Sequence, residues 1–173
     1  MLGRIIEKQS GQAFGDFVQQ EILDPLHMSD TGFSIPNSKV ERAAVVYRRE
    51  GNERVVYCRY QSKWQIHMTM PDGGLFSTTT DIARFANAFL NIDHGLLKPV
   101  SVEQMLTDQG HTYGLGWILD REGQFSHWGS SGTLVWGDRA TGVVGVLFAQ
   151  LQDIPSLEKI HADYRTAVIA AFK

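Results

Sequence analysis

The chain has 173 residues, of which 43% are hydrophobic and 20% charged, and its formal net charge is −3. These values are typical of one soluble globular domain, and the lack of a basic excess excludes nucleic-acid binding by a charged face. No apolar run approaches the ~20 residues of a membrane span, and the first residues lack the order of a signal peptide. We therefore expect no membrane partner and a cytoplasmic protein as given, with the true compartment unknown. The single cysteine, Cys58, excludes an internal disulfide and a multi-cysteine metal site.

The N-terminal part has the periodicity of two helices. A first helix is predicted from Leu2 to a stop at Gly11. A second one buries a stripe that includes Phe14 and Ile22, and it ends before Pro25. The first helix begins with almost no residues left for an N-cap. We interpret this as an indication that the chain is truncated.

Residues 25–80 are predicted to be mostly irregular, with a small hairpin over residues 45–57 around the turn 50–52. Residues 77–80 offer several N-caps for a helix that carries Phe85 and Phe89. Ser101 and Gln104 have the spacing of a capping box, which predicts that a short helix opens at Ser101.

From Tyr113 onward the pattern is typical of short strands. Residues 113–119, 124–128, 133–136 and 143–151 are predicted strands separated by glycine-containing turns, and a final helix opens at Pro155 and Ser156. Successive strands with short turns indicate an antiparallel meander. The order of helices, meander and closing helix predicts an α+β fold, which looser schemes place in α/β.

Five segments resemble motifs of the serine β-lactamase-like hydrolases, the family of class C β-lactamases, penicillin-binding proteins and related esterases. Residues 2–7 with Gly11 resemble the helix that follows the Tyr-x-Asn motif, and residues 25–31 resemble Pro-Leu-Gly-Met-x-x-Thr with His27 in place of the usual glycine. Residues 73–85 resemble the Gly-Gly-x-x-Ser-Thr helix start. Residues 113–117, Tyr-Gly-Leu-Gly-Trp, resemble the first strand of the C-terminal meander. Residues 127–129 resemble the His-x-Gly form of the Lys-Thr-Gly strand.

The resemblance implies a single truncated β-lactamase-like domain over residues 1–173. Its helical and loop region would span residues 1–110, and its antiparallel strands and C-terminal helix would span residues 111–173. In intact relatives this domain catalyses acyl-transfer hydrolysis of β-lactams, esters or peptides.

The resemblance also implies the site residues. His127 takes the position of a polar or cationic group near the substrate carboxylate and the general base, and the backbone N–H of Ser130 takes that of one half of the oxyanion hole. Trp128, Gly129 and Gly73 are the predicted substrate contacts, and Gly129 would let substrate backbone approach closely. Because His127 and Trp128 alternate along a strand, we expect one to be buried and His127 to face the cleft.

The residues supplied contain no candidate nucleophile. The only Ser-x-x-Lys spacing, from Ser156 to Lys159, follows His127 instead of preceding it, and no tyrosine is followed by asparagine two positions later. A prolyl-seryl pair that opens a helix is typical of an N-cap. The six histidines show no H-E-x-x-H spacing. We therefore expect no nucleophile, no metal and no cofactor, and a fragment that is inactive alone.

Two other interpretations stay open from the sequence. The chain could be a non-catalytic module that binds a small molecule or a protein in the cleft around His127, Ser130 and Gly73, or a subunit that a separate N-terminal chain completes. The expected ligand is a small acyl or β-lactam-like compound. An unpaired sheet edge would favour self-association, which predicts a homo-oligomer, most simply a dimer.

Overall fold

The computed structural model describes residues 1–59, 69–91, 96–121, 123–152 and 154–172. Helix α1, Leu2–Ser10, ends at Gly11, whose left-handed φ of 73° and N–H bond to the Glu7 carbonyl form the predicted C-cap. Helix α2, Phe14–Val18, continues into a π-helical turn, Gln19–Leu23. A 3-10 helix spans Asn37–Arg42. Both predicted N-terminal helices are therefore present.

The predicted hairpin is also present. Strand β1, Val46–Glu50, pairs antiparallel with β2, Glu53–Cys58, across a turn at Gly51. One partner of this hairpin was not expected from the sequence. A short strand β7, Leu151–Gln152, pairs with β1 in parallel and gives a three-stranded sheet of order β2-β1-β7.

Helix α3, Thr79–Leu90, begins at the N-cap Thr78, whose hydroxyl accepts a hydrogen bond from the Asp81 N–H, as the sequence indicated. The capping box at Ser101 was a wrong prediction. Helix α4, Pro99–Met105, begins two positions earlier with Lys98 as its N-cap. Pro99 takes the first helical position, where the missing N–H and the fixed φ of proline cost nothing.

The main sheet has four antiparallel strands in sequence order. They are β3, Ile118–Arg121; β4, Gln124–Trp128; β5, Thr133–Asp138; and β6, Val143–Phe148. Helix α5, Ile154–Ala171, closes the described chain. The meander and the closing helix confirm the predicted α+β class.

Two strand boundaries differ from the prediction. Residues 113–117 are a turn, and Tyr113 itself forms only a bridge to Ile118. The segment predicted as one strand over 143–151 divides into β6 and β7, because Gln150 has a φ of 53° that breaks the extended backbone.

The sheet lies between two helical layers, and its alternating side chains build both cores. Phe125 on β4 packs with Ala86 and Phe89 of α3 and with Trp117, while Val135 and Val144 complete that face. On the opposite face, residues of β5, β6 and α5 form a second cluster that comprises Leu134, Trp136, Val143, Leu147, Tyr164, Val168 and Ile169. No helix in the described ranges is long and apolar enough to cross a bilayer.

Candidate functional site

The C-terminal end of β4 carries two of the predicted site residues. His127 pairs with Val135 and Trp128 with Leu134 across the β4–β5 ladder. His127 shares the face of Phe125, and Trp128 points to the opposite face. The expectation that one of the two is buried was wrong, because both are exposed and Trp128 keeps 47% of its surface. Phe125 and Ser126 are each 1% exposed, so burial along β4 ends at His127.

A tight turn follows β4 and carries Ser130. The Gly132 N–H donates to the Gly129 carbonyl at 2.9 Å, and the Gly129 N–H donates to the Thr133 carbonyl at 3.0 Å. A side chain at Gly129 would meet the Thr133 hydroxyl at 2.5 Å, so a larger residue there would have to displace the Thr133 side chain. No hydrogen bond between residues of the described ranges uses the Ser130 N–H, and Ser130 is exposed. This N–H is available to an oxyanion.

The chain after β6 holds this turn in place. The Leu151 N–H donates to the Ser131 carbonyl at 2.8 Å, and the Ala149 N–H donates to the Gly132 carbonyl at 3.2 Å. Gly132 has a φ of +83°, and a Cβ there would approach the Leu157 side chain at 2.7 Å. The turn is thus fixed from β6, β7 and α5, which keeps the direction of the Ser130 N–H constant.

His161 of α5 packs behind the same turn. Burial lowers the pKa of its imidazole below the ordinary value, a hydrogen bond with the Gly132 backbone opposes that shift, and the positive charge of Arg165 adds to it. Its Nε2 atom is buried without a hydrogen-bond partner. No pattern in the sequence distinguishes this histidine from the others, since its contact with Gly132 depends on how α5 packs.

Tyr113 is the residue that sequence reasoning missed. Its hydroxyl oxygen lies 2.6 Å from His127 Nε2, and the two rings meet edge to face at 6.1 Å. His127 Nδ1 lies 3.0 Å from the Trp128 carbonyl oxygen. Both ring nitrogens of His127 therefore have partners within the protein.

The Tyr-Gly-Leu-Gly-Trp motif presents Tyr113 through its backbone. Trp117 is buried against Phe89 and Phe125. Gly116 has a φ of +84°, and a Cβ at Gly114 would lie 2.1 Å from the Met105 carbonyl oxygen, so neither position accepts a side chain. The signal available in the sequence was this glycine spacing, which is more typical of a turn than of a strand.

The loop before Tyr113 is tightly bonded and strained. The Gln109 N–H donates to the Tyr113 carbonyl at 2.8 Å, and the Leu119 N–H donates to the Thr112 carbonyl at 2.8 Å. His111 and Thr112 have φ values of 61° and 59°, which side-chain-bearing residues rarely adopt. Such strain persists where the surroundings fix the backbone, and it is frequent at functional sites.

Gly73 lies in a separate turn. Its N–H and that of Gly74 point to the Met70 carbonyl, and the adjacent Pro71 packs against Gly3 of α1. His127 forms its described hydrogen bonds with Tyr113 and Trp128, and neither of these residues belongs to the Gly73 turn. The role of Gly73 in substrate binding stays a prediction, as do those of His127, Trp128, Gly129 and Ser130.

The described residues do not bring a nucleophile or a metal cluster to His127. Lys159, from the Ser-x-x-Lys spacing, forms an exposed ion pair with Asp163 at 2.5 Å. No group of three or more histidine, cysteine or acidic side chains within the described ranges is arranged to hold a metal.

A cavity lies at the other end of β4. It has a volume of about 780 Å³, and Gln124, Phe125, Glu103 and Arg139 are among its lining residues. The Arg139 guanidinium and the Glu103 carboxylate pair at 2.7 Å and hold the pKa of Glu103 below its ordinary value. Since His127 and Ser130 do not line this cavity, we do not assign the site to it.

Known proteins share this fold. An uncharacterized protein of Mycobacterium tuberculosis, MT1414, is 31% identical over 118 residues, which are 63% of this chain and 29% of that protein. Simvastatin synthase (LovD) from Aspergillus terreus superimposes with a TM-score of 0.85 at 18% identity, over 99% of this chain and 54% of LovD. EstCE1, a hydrolase with promiscuous acyltransferase activity, gives 0.68 at 16% identity, over 87% of this chain and 49% of EstCE1.

The chain thus spans about half the length of these two enzymes and less than a third of the mycobacterial relative. At such low identities the structural likeness shows the fold alone. The Beta-lactamase family model, however, matches residues 1–169, nearly the whole chain. This chain therefore belongs to the β-lactamase family of serine hydrolase-like proteins.

Proposed function

We propose that this chain supplies the His127 side of an acyl-transfer site that accepts small acyl esters, amides or lactams. The observation that carries the proposal is the unbonded Ser130 N–H on a turn that three elements fix, directly after the strand that bears His127. Membership of the family supports the same reaction class. LovD, a simvastatin synthase, and EstCE1, a hydrolase with promiscuous acyltransferase activity, have this fold.

The parts have distinct roles in this proposal. The Ser130 N–H would donate to the carbonyl oxygen of a bound acyl group, and one such donor contributes about 3 kcal/mol when the oxygen becomes an oxyanion. The exposed indole of Trp128 would form an apolar wall for the acyl chain. Gly129 lets the turn close on Thr133, because the Thr133 hydroxyl occupies the space of a Cβ at this position.

Acyl transfer also needs an activated hydroxyl. The 173 residues contain no Ser-x-x-Lys ahead of His127 and no Tyr-x-Asn. We therefore propose that these residues by themselves bind an acyl group without turning it over. An assay with p-nitrophenyl butyrate and nitrocefin should give rates at the level of the blank. Turnover well above the blank that His127→Ala abolishes would contradict this part of the proposal.

The binding part is tested with a neutral acyl probe. 4-Phenylbutanamide offers a carbonyl oxygen for the Ser130 N–H and a phenyl group for Trp128. A probe at ten times its dissociation constant should stabilise the native chain by about 1.4 kcal/mol, seen as a rise in melting temperature. Trp128→Ala should reduce the rise, and Tyr57→Ala, a change at an exposed aromatic residue of β2, serves as the control. Saturation that is unchanged in Trp128→Ala, or no saturable binding at all, would overturn the proposal.

A further inference from the structure

The hydrogen bonds of His127 determine which of its nitrogens carries the proton. Nδ1 lies 3.0 Å from the Trp128 carbonyl oxygen, and a carbonyl oxygen can only accept. Nδ1 must therefore be the N–H of the neutral ring. Nε2 then bears a lone pair, and the Tyr113 hydroxyl at 2.6 Å must donate to it.

This arrangement leaves the neutral imidazole without a donor for a ligand. The Nδ1–H is bound to Trp128, and the Nε2 lone pair is bound to Tyr113. The Tyr113 hydroxyl hydrogen is likewise engaged, so the outward part of the phenol offers only oxygen lone pairs. In this state the pair accepts hydrogen bonds and repels an anion.

A second proton on the imidazole reverses the direction of the bond. Imidazolium Nε2–H donates to the Tyr113 oxygen, because both nitrogens of the cation are donors. The phenol hydrogen is then free to rotate outward. Tyr113 is 37% exposed, so the residue is accessible from solvent.

We propose that Tyr113 is the residue of this site that touches a ligand carboxylate, and that His127 behind it switches the Tyr113 hydroxyl between acceptor and donor. This inference rests on the proposed function, and it replaces His127 by Tyr113 as the direct contact. The ligand class is an acyl compound with a carboxylate near the scissile group. No bond is made or broken in the switch: one proton enters from solvent at Nε2, and the phenol hydrogen changes its direction.

On the side of the sheet that carries His127, the described core side chains of β5 and α3 are apolar. Val135 lies opposite His127 on β5, and α3 faces the same side of the sheet with Phe85 and Phe89. In the Tyr113 loop the titratable side chains are Asp108, whose carboxylate accepts from the Gly110 N–H, and His111. None of the ion pairs between described residues includes Tyr113 or His127.

The switch predicts a proton-linked affinity for carboxylates. While one proton enters with the ligand, each unit of falling pH should strengthen binding about tenfold. Once the free protein already carries that proton, the affinity should reach a plateau. A carboxylate ligand stays ionised over pH 6 to 8.5, because carboxyl groups titrate at about 4.

The tautomer is tested first, by two-bond ¹H–¹⁵N NMR of the histidine rings at pH 8.5. His127, assigned by comparison with His127→Ala, should show its proton on Nδ1. Tyr113→Phe should move His127 toward the Nε2–H form, while Tyr57→Phe, a change at an exposed tyrosine of β2, should leave it unaltered. A wild-type His127 with its proton on Nε2 would overturn the proposal and leave the proposed function standing.

The ligand contact is tested with 4-phenylbutyrate, compared with the neutral 4-phenylbutanamide. The affinity for the carboxylate should rise about tenfold per unit of falling pH, whereas the affinity for the amide should not depend on pH. Tyr113→Phe should abolish the slope for the carboxylate. An equal slope for both probes, or a slope that persists in Tyr113→Phe, would contradict the switch. Loss of binding for both probes in the wild type would contradict the proposed function instead.

Discussion

Gly137 lies directly opposite Phe125 in the β4–β5 ladder, and the Phe125 ring occupies the space where a side chain at position 137 would stand. A Cβ at Gly137 would approach Phe125 Cζ at 2.3 Å. Phe125 is in turn packed against Phe89 and Trp117, with ring centroids at 5.8 and 4.8 Å. The core beneath α3 therefore depends on glycine at position 137 of β5, since any side chain there would displace the Phe125 ring.

We predict that Gly137→Ala destabilises the chain by about 1 to 3 kcal/mol, because the added methyl group overpacks a core that cannot yield. The free energy of unfolding from urea titration measures the effect. Gly73→Ala is the matched control, since a Cβ at Gly73 meets no atom within 4 Å. Equal stabilities of the two variants would show that the Phe125 ring can move aside.

Asp81 joins the segment that follows the π-helical turn to helix α3. Its Oδ2 accepts from the Asp30 N–H at 2.8 Å and from the Thr31 hydroxyl at 2.9 Å, and its Oδ1 pairs with Arg84 at 2.7 Å. Asp81 is 2% exposed. We predict that Asp81→Ala costs about 3 to 5 kcal/mol of unfolding free energy, because it leaves buried donors without an acceptor.

The control for Asp81 is Asp163→Ala, which removes one partner of the exposed pair with Lys159. Such surface pairs contribute about 0 to 1 kcal/mol. Chemical unfolding should show a much larger loss of unfolding free energy for Asp81→Ala than for Asp163→Ala. A loss at Asp81 no larger than that at Asp163 would contradict the structural role of this carboxylate.

His161 gives the fold a predicted sensitivity to mild acid. Its pKa is lowered in the native state, chiefly by burial. The neutral ring is therefore favoured by folding, and its contribution is fully present above the unfolded pKa, about 6.5. As pH falls below this value the unfolded chain takes up the proton more readily, and stability is lost down to the native pKa.

Urea midpoints between pH 7.5 and 5 should therefore fall more steeply for the wild type than for His161→Gln, which keeps a donor near Gly132. His111→Gln, a change at an exposed loop histidine, should follow the wild type. Parallel curves for the wild type and His161→Gln would contradict the link between the lowered pKa of His161 and the loss of stability in acid.

His27 occupies a position that suits glycine. Its φ is 54°, in the left-handed region, which costs a side-chain-bearing residue about 1 to 2 kcal/mol. Glycine removes this cost. It also makes the unfolded chain more flexible, which lowers the unfolding free energy by about 0.5 to 1 kcal/mol. We predict that His27→Gly raises the unfolding free energy by about 0.5 to 1 kcal/mol, whereas His27→Ala should give no such gain. A lower melting temperature for His27→Gly would contradict the prediction.

Strand β6 is the sheet edge for which we propose self-association. Within the described ranges it pairs only with β5, and its sequence, Val-Val-Gly-Val-Leu-Phe, has no charge to oppose pairing with a second copy about a twofold axis. The Tyr164 hydroxyl covers one backbone group, the Val146 carbonyl, at 3.0 Å.

Sedimentation equilibrium should therefore detect a dimer at micromolar concentration. Hydrogen exchange should show slower amides in Val143–Phe148 at high than at low protein concentration. A monomer throughout would contradict self-association, and protection confined to another segment would move the interface away from β6.

The sequence determined the order and type of most elements, because local chemistry decides them. Gly11 ends α1, Thr78 caps α3, and Gly51 lies in the turn of the β1–β2 hairpin. The same local patterns, taken together, identified the family that the match over residues 1–169 shows. Pro99 and Ser101 can each open a helix, and the sequence-based prediction took Ser101, whereas the helix begins at Pro99.

Only the tertiary structure decided which residues meet. The parallel pairing of β7 with β1, the contact of His161 with Gly132 and the exposure of both His127 and Trp128 depend on how α3, α5 and the strands stack. The Tyr113 hydroxyl reaches His127 because a strained turn between a buried tryptophan and α4 places it there. Fourteen positions separate the two residues, and no periodicity in the sequence encodes a contact set by packing over that distance.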